Sequence, residues 1–286
     1  MTAHTVLSVS GLDKQYSAFS LSDVSFTVPG GTLVGLIGEN GAGKSTTIKS
    51  ILGLVRRDGG EITILDHPAG DPAALADIGY VPDECPFHDL FHPLQVGKIL
   101  SGIYSNWDQE LYRSYLDKFG LPEKALLKTF SRGMKMKLSI AAALSHHPRL
   151  LLLDEATSGL DPVVREEILD EFLAFLSDED HGVLLSTHIT SDLERAADYV
   201  VYLHRGRVVL NGEKDVILEQ YGKLVCSAAD LERVDPGLLG GVRRGRFACE
   251  ALVKDRTAFR RFYPELTVDR VSLEDIMVFT GKEDIQ

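Results

Sequence analysis

The stretch GENGAGKST, residues 38–46, decides the fold of this chain. It follows the apolar run LVGLI (Leu33–Ile37) and leads into Ser45–Val55, where apolar residues recur at helical spacing. A glycine-rich turn between a strand and a helix lets successive backbone N–H groups point at phosphate oxygens. Lys44 can then reach the β and γ phosphates, while Ser45 offers a hydroxyl to Mg²⁺. The stretch therefore predicts a phosphate-binding loop for a nucleoside triphosphate.

Every residue of this loop is a candidate nucleotide contact. The predicted contacts are Gly38, Glu39, Asn40, Gly41, Ala42, Gly43, Lys44, Ser45 and Thr46. The alternative is a chance glycine turn, which does not account for the strand-like and helix-like segments on either side.

Composition limits the class of protein. The chain has 286 residues, of which 44% are hydrophobic and 25% charged, enough for one large domain and an accessory piece. No apolar run approaches the roughly 18 residues that cross a bilayer, and the N-terminus lacks the pattern of a signal peptide, so we expect a cytoplasmic protein. The formal net charge of −12 argues against a nucleic-acid partner, which favours a basic surface.

Short apolar runs alternate with amphipathic segments, which predicts an α/β fold with a core sheet between helices. The candidate strands are Leu33–Ile37, Ile78–Val81, Leu150–Leu153, Val183–Ser186 and Val200–Leu203. The candidate helices are Pro93–Tyr104, Gln109–Phe119, Met134–Ser145 and Val164–Leu176. We expect three parts: a nucleotide-binding core (residues 1–83 and 149–220), an inserted helical subdomain (84–148) and a small C-terminal α+β appendage (221–286).

A second phosphate-site element is LLLLDEATSGLD, Leu150–Asp161. Its four leucines predict a buried strand that ends in two adjacent acids. Asp154 is the candidate Mg²⁺ ligand together with Ser45, and Glu155 is the candidate that directs water at the γ-phosphate. The alternative is a surface acidic pair at the end of a strand.

A histidine ends a further predicted strand in GVLLSTHIT, residues 182–190. His188 would reach the same sheet edge as the phosphate loop and the acidic pair, where it can hydrogen-bond a γ-phosphate and orient water. A lone histidine is otherwise more often structural, so its position in the sheet carries this prediction.

From about residue 7 to residue 211 the chain resembles the ATP-binding subunits of ATP-binding cassette (ABC) transporters. GENGAGKST, LLLLDEATSGLD and the strand before His188 occur in the family's order, and FSRGMK (Phe130–Lys135) stands where the family has its LSGGQ signature. The resemblance implies a P-loop NTPase fold with a RecA-like core sheet, ATP and Mg²⁺ as ligands, and a dimer that encloses two ATP molecules.

The resemblance also assigns roles to single residues. It implies that Ser131 and Gly133 contact the γ-phosphate held by the opposite subunit, which is a second copy or a paired ABC subunit. It implies that Tyr16 stacks on adenine and that the SGLD loop (Ser158–Asp161), including Asp161, communicates across the dimer.

The chain departs from the family pattern at three positions. Asp83 replaces the usual glutamine after the IGYVP strand, so it is a candidate Mg²⁺ ligand that coordinates directly, through water or not at all. Arg132 replaces the first signature glycine, and either it contacts the partner's γ-phosphate or it lies along the surface of the helical subdomain. Ala156 replaces a proline, a change that we expect to be minor.

The single cassette, the SRGMK variant and the ending SLEDIMVFTGK are similar to bacterial ABC-2 type exporter subunits, which often handle drugs, antimicrobial peptides or lipids. The resemblance implies hydrolysis of ATP, docking on separate integral-membrane subunits and a peripheral location on the inner face of the membrane. Alternatives remain: a soluble ABC ATPase that acts on ribosomes or DNA, and a poorly hydrolysing regulatory subunit. A GTPase or small-molecule kinase would leave the signature and SGLD segments unexplained.

Overall fold

A computed structural model describes residues 4–281 of the chain. The strands are β1 Thr5–Gln15, β2 Ser20–Pro29, β3 Thr32–Ile37, β4 Gly59–Ile64, β5 His67–Pro68, β6 Ile78–Val81, β7 Leu150–Asp154, β8 Gly182–Thr187, β9 Tyr199–His204, β10 Arg207–Glu213, β11 Gly222–Cys226, β12 Leu239–Arg244, β13 Cys249–Val253 and β14 Val268–Asp269. The helices are α1 Lys44–Ile51, α2 Pro72–Ala76, α3 Pro93–Leu100, α4 Gln109–Lys118, α5 Arg132–Leu144, α6 Pro162–Phe175, α7 Thr190–Ala196, α8 Lys214–Gln220, α9 Ala228–Leu231, α10 Arg256–Phe262 and α11 Leu273–Thr280.

A six-stranded sheet in the order β10-β9-β3-β8-β7-β6 forms the centre of the fold. All of its strands are parallel to their neighbours except β10, which pairs antiparallel with β9. Alternate residues of these apolar strands enter two different buried clusters, one on each face of the sheet. The α/β fold class is confirmed, and all five candidate strands are present with ends that shift by at most one residue.

Register places the loops of the central sheet side by side. Ile37 at the end of β3 lies beside Thr187 of β8, and Asp154 at the end of β7 lies beside Ser186. Because the carboxyl ends of parallel strands share one edge, the segments that follow β3, β7 and β8 meet there.

Two helices, α1 and α3, end four residues earlier than their sequence patterns predict, whereas α4, α5 and α6 each end one residue earlier. The helix after the phosphate loop ends at Ile51 and does not continue to Val55, because Gly53 adopts a left-handed conformation with φ +71°. Helix α3 ends at Leu100 and not at Tyr104, since residues 101–103 form a turn.

A second sheet, which the sequence patterns did not predict, is antiparallel and has the strand order β2-β1-β4-β5. Its inward-facing side chains pack with α1 against one face of the central sheet, in a cluster that includes Phe26, Ile48 and Ile62. The other face is covered by helices, among them α6, whose Ile168 and Phe172 are fully buried.

Residues 84–148, all of which the structure describes, contain helices and no strand. Their own apolar cluster centres on Tyr112, Leu116 and Leu138. In the part of the chain that is described, no helix combines the length and the apolar character needed to cross a bilayer.

After residue 221 a four-stranded antiparallel sheet in the order β12-β13-β11-β14 has a small core of its own. Helix α11 connects this region to the central fold, since Leu273, Ile276 and Phe279 are each 2% exposed within the main core cluster. The outermost residues of the first and last predicted parts, 1–3 and 282–286, lie outside the described residues. The three-part division itself stays a prediction.

Candidate nucleotide-binding site

The phosphate loop joins β3 to α1 along a path that only glycine allows at two points. Gly43 has φ +112°, and a Cβ there would lie 2.5 Å from Leu21 Cδ2. A Cβ on Gly38 would lie 2.3 Å from the carbonyl oxygen of Leu203. The strand, the glycine turn and the helix therefore occur in the order that the sequence predicts, with Lys44 as the first residue of α1.

Lys44 is buried at the base of the loop, with 5% of its surface exposed. Its Nζ donates hydrogen bonds to the carbonyl oxygens of Gly38 (2.8 Å) and Glu39 (3.3 Å), and it forms an ion pair with Glu155 Oε1 at 3.0 Å. A buried ammonium needs such partners to offset its desolvation. The loop thus holds a fixed positive charge beside the predicted phosphate position.

Two of the three predicted Mg²⁺ ligands, Ser45 and Asp154, are in contact. Ser45 Oγ donates to Asp154 Oδ1 at 3.1 Å, and Ser186 Oγ donates to the same oxygen at 2.8 Å. Asp154 is 3% exposed. One carboxylate and one hydroxyl next to a phosphate loop form a donor set that suits Mg²⁺, which takes few protein oxygens and completes its shell with phosphates and water. These residues fit the ion without a larger cluster, and within residues 4–281 no group of three or more His, Cys, Asp or Glu could hold a metal.

The two predicted catalytic residues also meet. Glu155 Oε2 lies 2.7 Å from His188 Nδ1, so the carboxylate bridges His188 and Lys44. Glu155 adopts φ +54°, a strained conformation for a residue other than glycine, and its N–H donates to the carbonyl of Ser186 at 3.0 Å. Because His188 is 41% exposed while Glu155 is 15% exposed, the pair lies at the rim of the site with the histidine outermost.

The signature segment, residues 130–135, lies at the start of α5. Ser131 is the N-cap residue of the helix, with Oγ accepting from the Met134 N–H at 3.2 Å. Ser131 and Arg132 are exposed, and Gly133 is partly exposed. Among the described contacts of these three residues, none is with the phosphate loop of the same chain. Their predicted contact with nucleotide stays a prediction.

Two further predicted residues, Tyr16 and Asp161, lie in a surface groove and at a helix N-terminus. Tyr16 is 41% exposed and borders the same surface groove as Gly41, which suits its predicted contact with a base. Asp161 is the N-cap residue of α6, where Oδ1 accepts from the Val164 N–H at 3.1 Å.

Asp83 follows β6 and borders a groove that Arg132 also lines. Its carboxylate accepts a hydrogen bond from the Glu84 N–H at 3.0 Å. The pKa of Tyr80 is raised to about 12, first by burial of the phenol and then by the negative charges of Asp154 and Asp83. No described contact joins Asp83 to Ser45 or Asp154, so its role toward a metal stays a prediction.

Two buried polar residues near the site, Ser186 and Asp192, were not among the predicted site residues. Ser186 shares the Asp154 carboxylate with Ser45. Asp192, in the first turn of α7, is 2% exposed, and burial raises its pKa while Thr157 and Arg165 counter part of that rise. The signal for both was their nearness to His188 in sequence, within the segment STHITSD.

The chain is similar to known proteins of one family. A family model described as ABC transporter matches residues 21–158. The lantibiotic transport ATP-binding protein SrtF of Streptococcus pyogenes is 34% identical over 213 residues, which cover 73% of this chain and 92% of that protein. The Nod factor export ATP-binding protein I of Rhizobium sp. (strain N33) is 34% identical over 226 residues, which cover 75% of this chain and 73% of that protein.

A solved structure of the ATP-binding subunit of an ABC transporter matches with a TM-score of 0.68 and 34% identity, covering 74% of this chain and 91% of that one. The chain does not match all relatives over their whole length, since its match spans only 58% of a longer protein from Synechocystis sp..

Proposed function

The chain belongs to the family of ABC transporter ATP-binding proteins, and we propose that it binds and hydrolyses ATP to drive transport through separate membrane subunits. The observation that carries the catalytic part of this proposal is the chain of contacts from Lys44 through Glu155 to His188. These three side chains lie in the segments that follow three different strands of one sheet. A charged triphosphate and a water molecule are the reactants that such a set would orient.

In this proposal, the loop N–H groups and the Lys44 ammonium bind the phosphates. When Lys44 binds phosphate in place of Glu155, Glu155 keeps its contact with His188. The Glu155 carboxylate can then accept a proton from the attacking water, while the His188 imidazole holds that water in line with the γ-phosphate. Ser45 and Asp154 would hold Mg²⁺, with Asp83 as a further oxygen donor, and the ion would neutralise charge on the phosphates. Tyr16 would bind the adenine ring by stacking.

The signature segment would serve a second chain. Ser131 and Gly133 are accessible at a helix N-terminus, where N–H groups and the helix dipole favour an anion. We propose that ATP brings two such chains face to face, either two copies or this chain and a paired subunit. Each signature segment, with Asp161 of the SGLD loop beside it, would then complete the other chain's site. Closure would move the membrane partners, and hydrolysis would reset them.

Export is the direction of transport that we propose. The relatives named for lantibiotic transport and Nod factor export are similar over most of their own length. The cargo class would be an amphipathic peptide, drug or lipid-like molecule, and the chain would work at the inner membrane face, bound to its membrane subunits.

Turnover of ATP by the purified chain tests the catalytic part. We expect Mg²⁺-dependent hydrolysis that Glu155→Gln abolishes while ATP binding persists, and we expect much less turnover of GTP. Binding of ATP without any turnover that depends on Glu155 would instead indicate a regulatory subunit.

Purification from a detergent extract of the native cells tests the transport part. We expect an integral-membrane subunit to be retained with the chain. Recovery with ribosomes or DNA in its place would contradict the transport proposal and favour a soluble ABC ATPase.

A further inference from the structure

Arg132 lies against the SGLD loop of its own chain. A Cβ built on Gly159, in the middle of that loop, would be 3.1 Å from Arg132 Cζ, 3.2 Å from Nη1 and 3.3 Å from Nε. Three atoms of one planar group at nearly equal distance mean that the guanidinium covers Gly159. A side chain at residue 159 would require this group to move by a few tenths of an ångström.

Two neighbouring contacts join helix α5 to helix α6. A Cβ on Gly133 would lie 3.3 Å from Val164 Cγ1, so the first turn of α5 is close to the first turn of α6. Further along the same helices, Lys137 forms an ion pair with Glu167. The start of the signature helix and the segment that follows the SGLD loop are therefore adjacent within one chain.

We infer that Arg132 is a positioning residue that holds the SGLD loop against the signature segment, so that both reach the second chain's nucleotide as one unit. The inference rests on the proposed two-chain site, and it gives this arginine a role different from the two that the sequence left open. The guanidinium acts here through its plane, and nucleotide is not its partner.

The chemistry of the side chain supports packing over charge as the basis of this role. A guanidinium is flat, weakly hydrated and able to cover another group, whereas a lysine ammonium is a compact hydrated charge on a flexible stem. Gly159 has φ +69° and no side chain, which leaves its Cα surface open for the plane of Arg132. Replacement of Arg132 by lysine keeps the positive charge and removes the planar group, so it distinguishes a role in packing from a role of charge.

The first experiment measures kcat and KM for ATP in wild type, Arg132→Ala and Arg132→Lys. We expect kcat to fall about tenfold in both variants, as for a small misplacement of reacting groups, while KM stays within about twofold. Recovery of wild-type kcat by lysine would overturn the inference, because charge alone would then suffice. So would a rise in KM at constant kcat, and so would wild-type kinetics in both variants.

The second experiment adds a Cβ at residue 159. Gly159→Ala should shift the guanidinium by a few tenths of an ångström and lower kcat by less than Arg132→Ala does, and the double variant should be no worse than Arg132→Ala alone. Gly120→Ala is the matched control: Gly120 has φ +62°, and a Cβ there would have no atom within 4 Å. It carries the same backbone strain, and we expect kcat to be unchanged. Losses that multiply in the double variant would contradict the contact.

Thermal unfolding of wild type, Arg132→Ala, Gly159→Ala and the double variant tests this inference separately from the proposed function. The loss of stability caused by Gly159→Ala should be smaller in the Arg132→Ala background than in wild type, whether or not the chain hydrolyses ATP. Absence of any turnover sensitive to Glu155→Gln would defeat the proposed function alone. Equal losses of stability in the two backgrounds would defeat the Arg132 contact alone.

Discussion

The phosphate-loop cluster (Lys44, Ser45, Asp154, Glu155 and His188) and the signature segment differ in how their polar groups are satisfied. In the cluster, the buried Lys44 ammonium pairs with Glu155, and Asp154 accepts a hydrogen bond from Ser45. Glu155 also contacts His188, so all five side chains have partners inside the chain. In the signature segment, Ser131 and Arg132 are exposed, and Ser131 bonds only to its own helix among the contacts described.

The difference follows from the cost of leaving a buried polar group without a partner. Buried charges must be paired within the folded chain, whereas exposed groups can remain solvated until another molecule binds. The cluster is therefore organised by folding, and the signature segment is available for an interface. Substitutions in the two regions should have different consequences.

The largest effect should come from the cluster. Glu155→Gln removes the proposed proton acceptor while it keeps the size of the side chain, so we expect ATP turnover to fall by about a thousandfold. ATP binding, measured by equilibrium dialysis, should persist because the phosphate loop is intact. The matched control is Glu232→Gln, an exposed change in the C-terminal region, which should leave turnover as in wild type. A variant that retained turnover would show that the cluster is not the hydrolytic centre.

A buried titratable group, His146, follows the far end of the signature helix. His146 is 1% exposed and stacks on Tyr104 with ring centroids 4.0 Å apart, and burial lowers its pKa to about 4. The unfolded chain, with a histidine pKa near 6.5, therefore binds more protons between pH 6.5 and 4, and stability falls as the pH drops through this window. The loss at pH 5 relative to neutral pH should be about 2 kcal/mol.

His146→Phe keeps the ring and removes this titration. Denaturant unfolding at pH 7.5 and pH 5 should show a free energy of unfolding that depends less on pH than in wild type, by about the same 2 kcal/mol. His67→Phe, at an exposed site, is the control and should keep the wild-type dependence. Identical pH dependence in His146→Phe and wild type would contradict the buried, neutral histidine.

A smaller effect should come from the signature segment itself. Ser131→Ala removes a hydroxyl proposed to bind the partner's phosphate, and we expect turnover to fall about tenfold while ATP binding to the single chain is unchanged. It also removes a helix cap worth about 1 kcal/mol. Ser227→Ala removes the equivalent cap of α9 and is the matched control for stability. If both variants lost turnover equally, the effect of Ser131 would be one of stability.

The smallest effect should occur at Asp83, next to the cluster. Asp83→Ala should raise the Mg²⁺ concentration at half-maximal turnover by about threefold, as for loss of one water-mediated contact, and Asp83→Gln should restore it. An unchanged Mg²⁺ requirement in both variants would show that residue 83 does not hold the ion.

Much of the fold and the phosphate-loop cluster could be predicted from local sequence. Residues 38–46 lie between an apolar strand and a helix, and each predicted acid or histidine ends a strand of the same sheet, so chain connectivity alone brings them to one edge. The antiparallel sheet was not predicted because the alternation of β1 is only partial, and because β1 joins β2 to β4, a strand that is distant in sequence. Helix α1 ends before Gly53 because this residue adopts a left-handed conformation, which a pattern of apolar residues cannot predict.

By itself the sequence determined that this chain has a P-loop, two acids at the end of a buried strand and a histidine at the end of another, because short-range patterns encode those elements. Only the tertiary structure decided that Ser186 shares Asp154 with Ser45, that Glu155 joins Lys44 to His188, and that Arg132 covers Gly159. The physical reason is that such contacts join residues far apart in the chain, and their distances are set by strand register and helix packing.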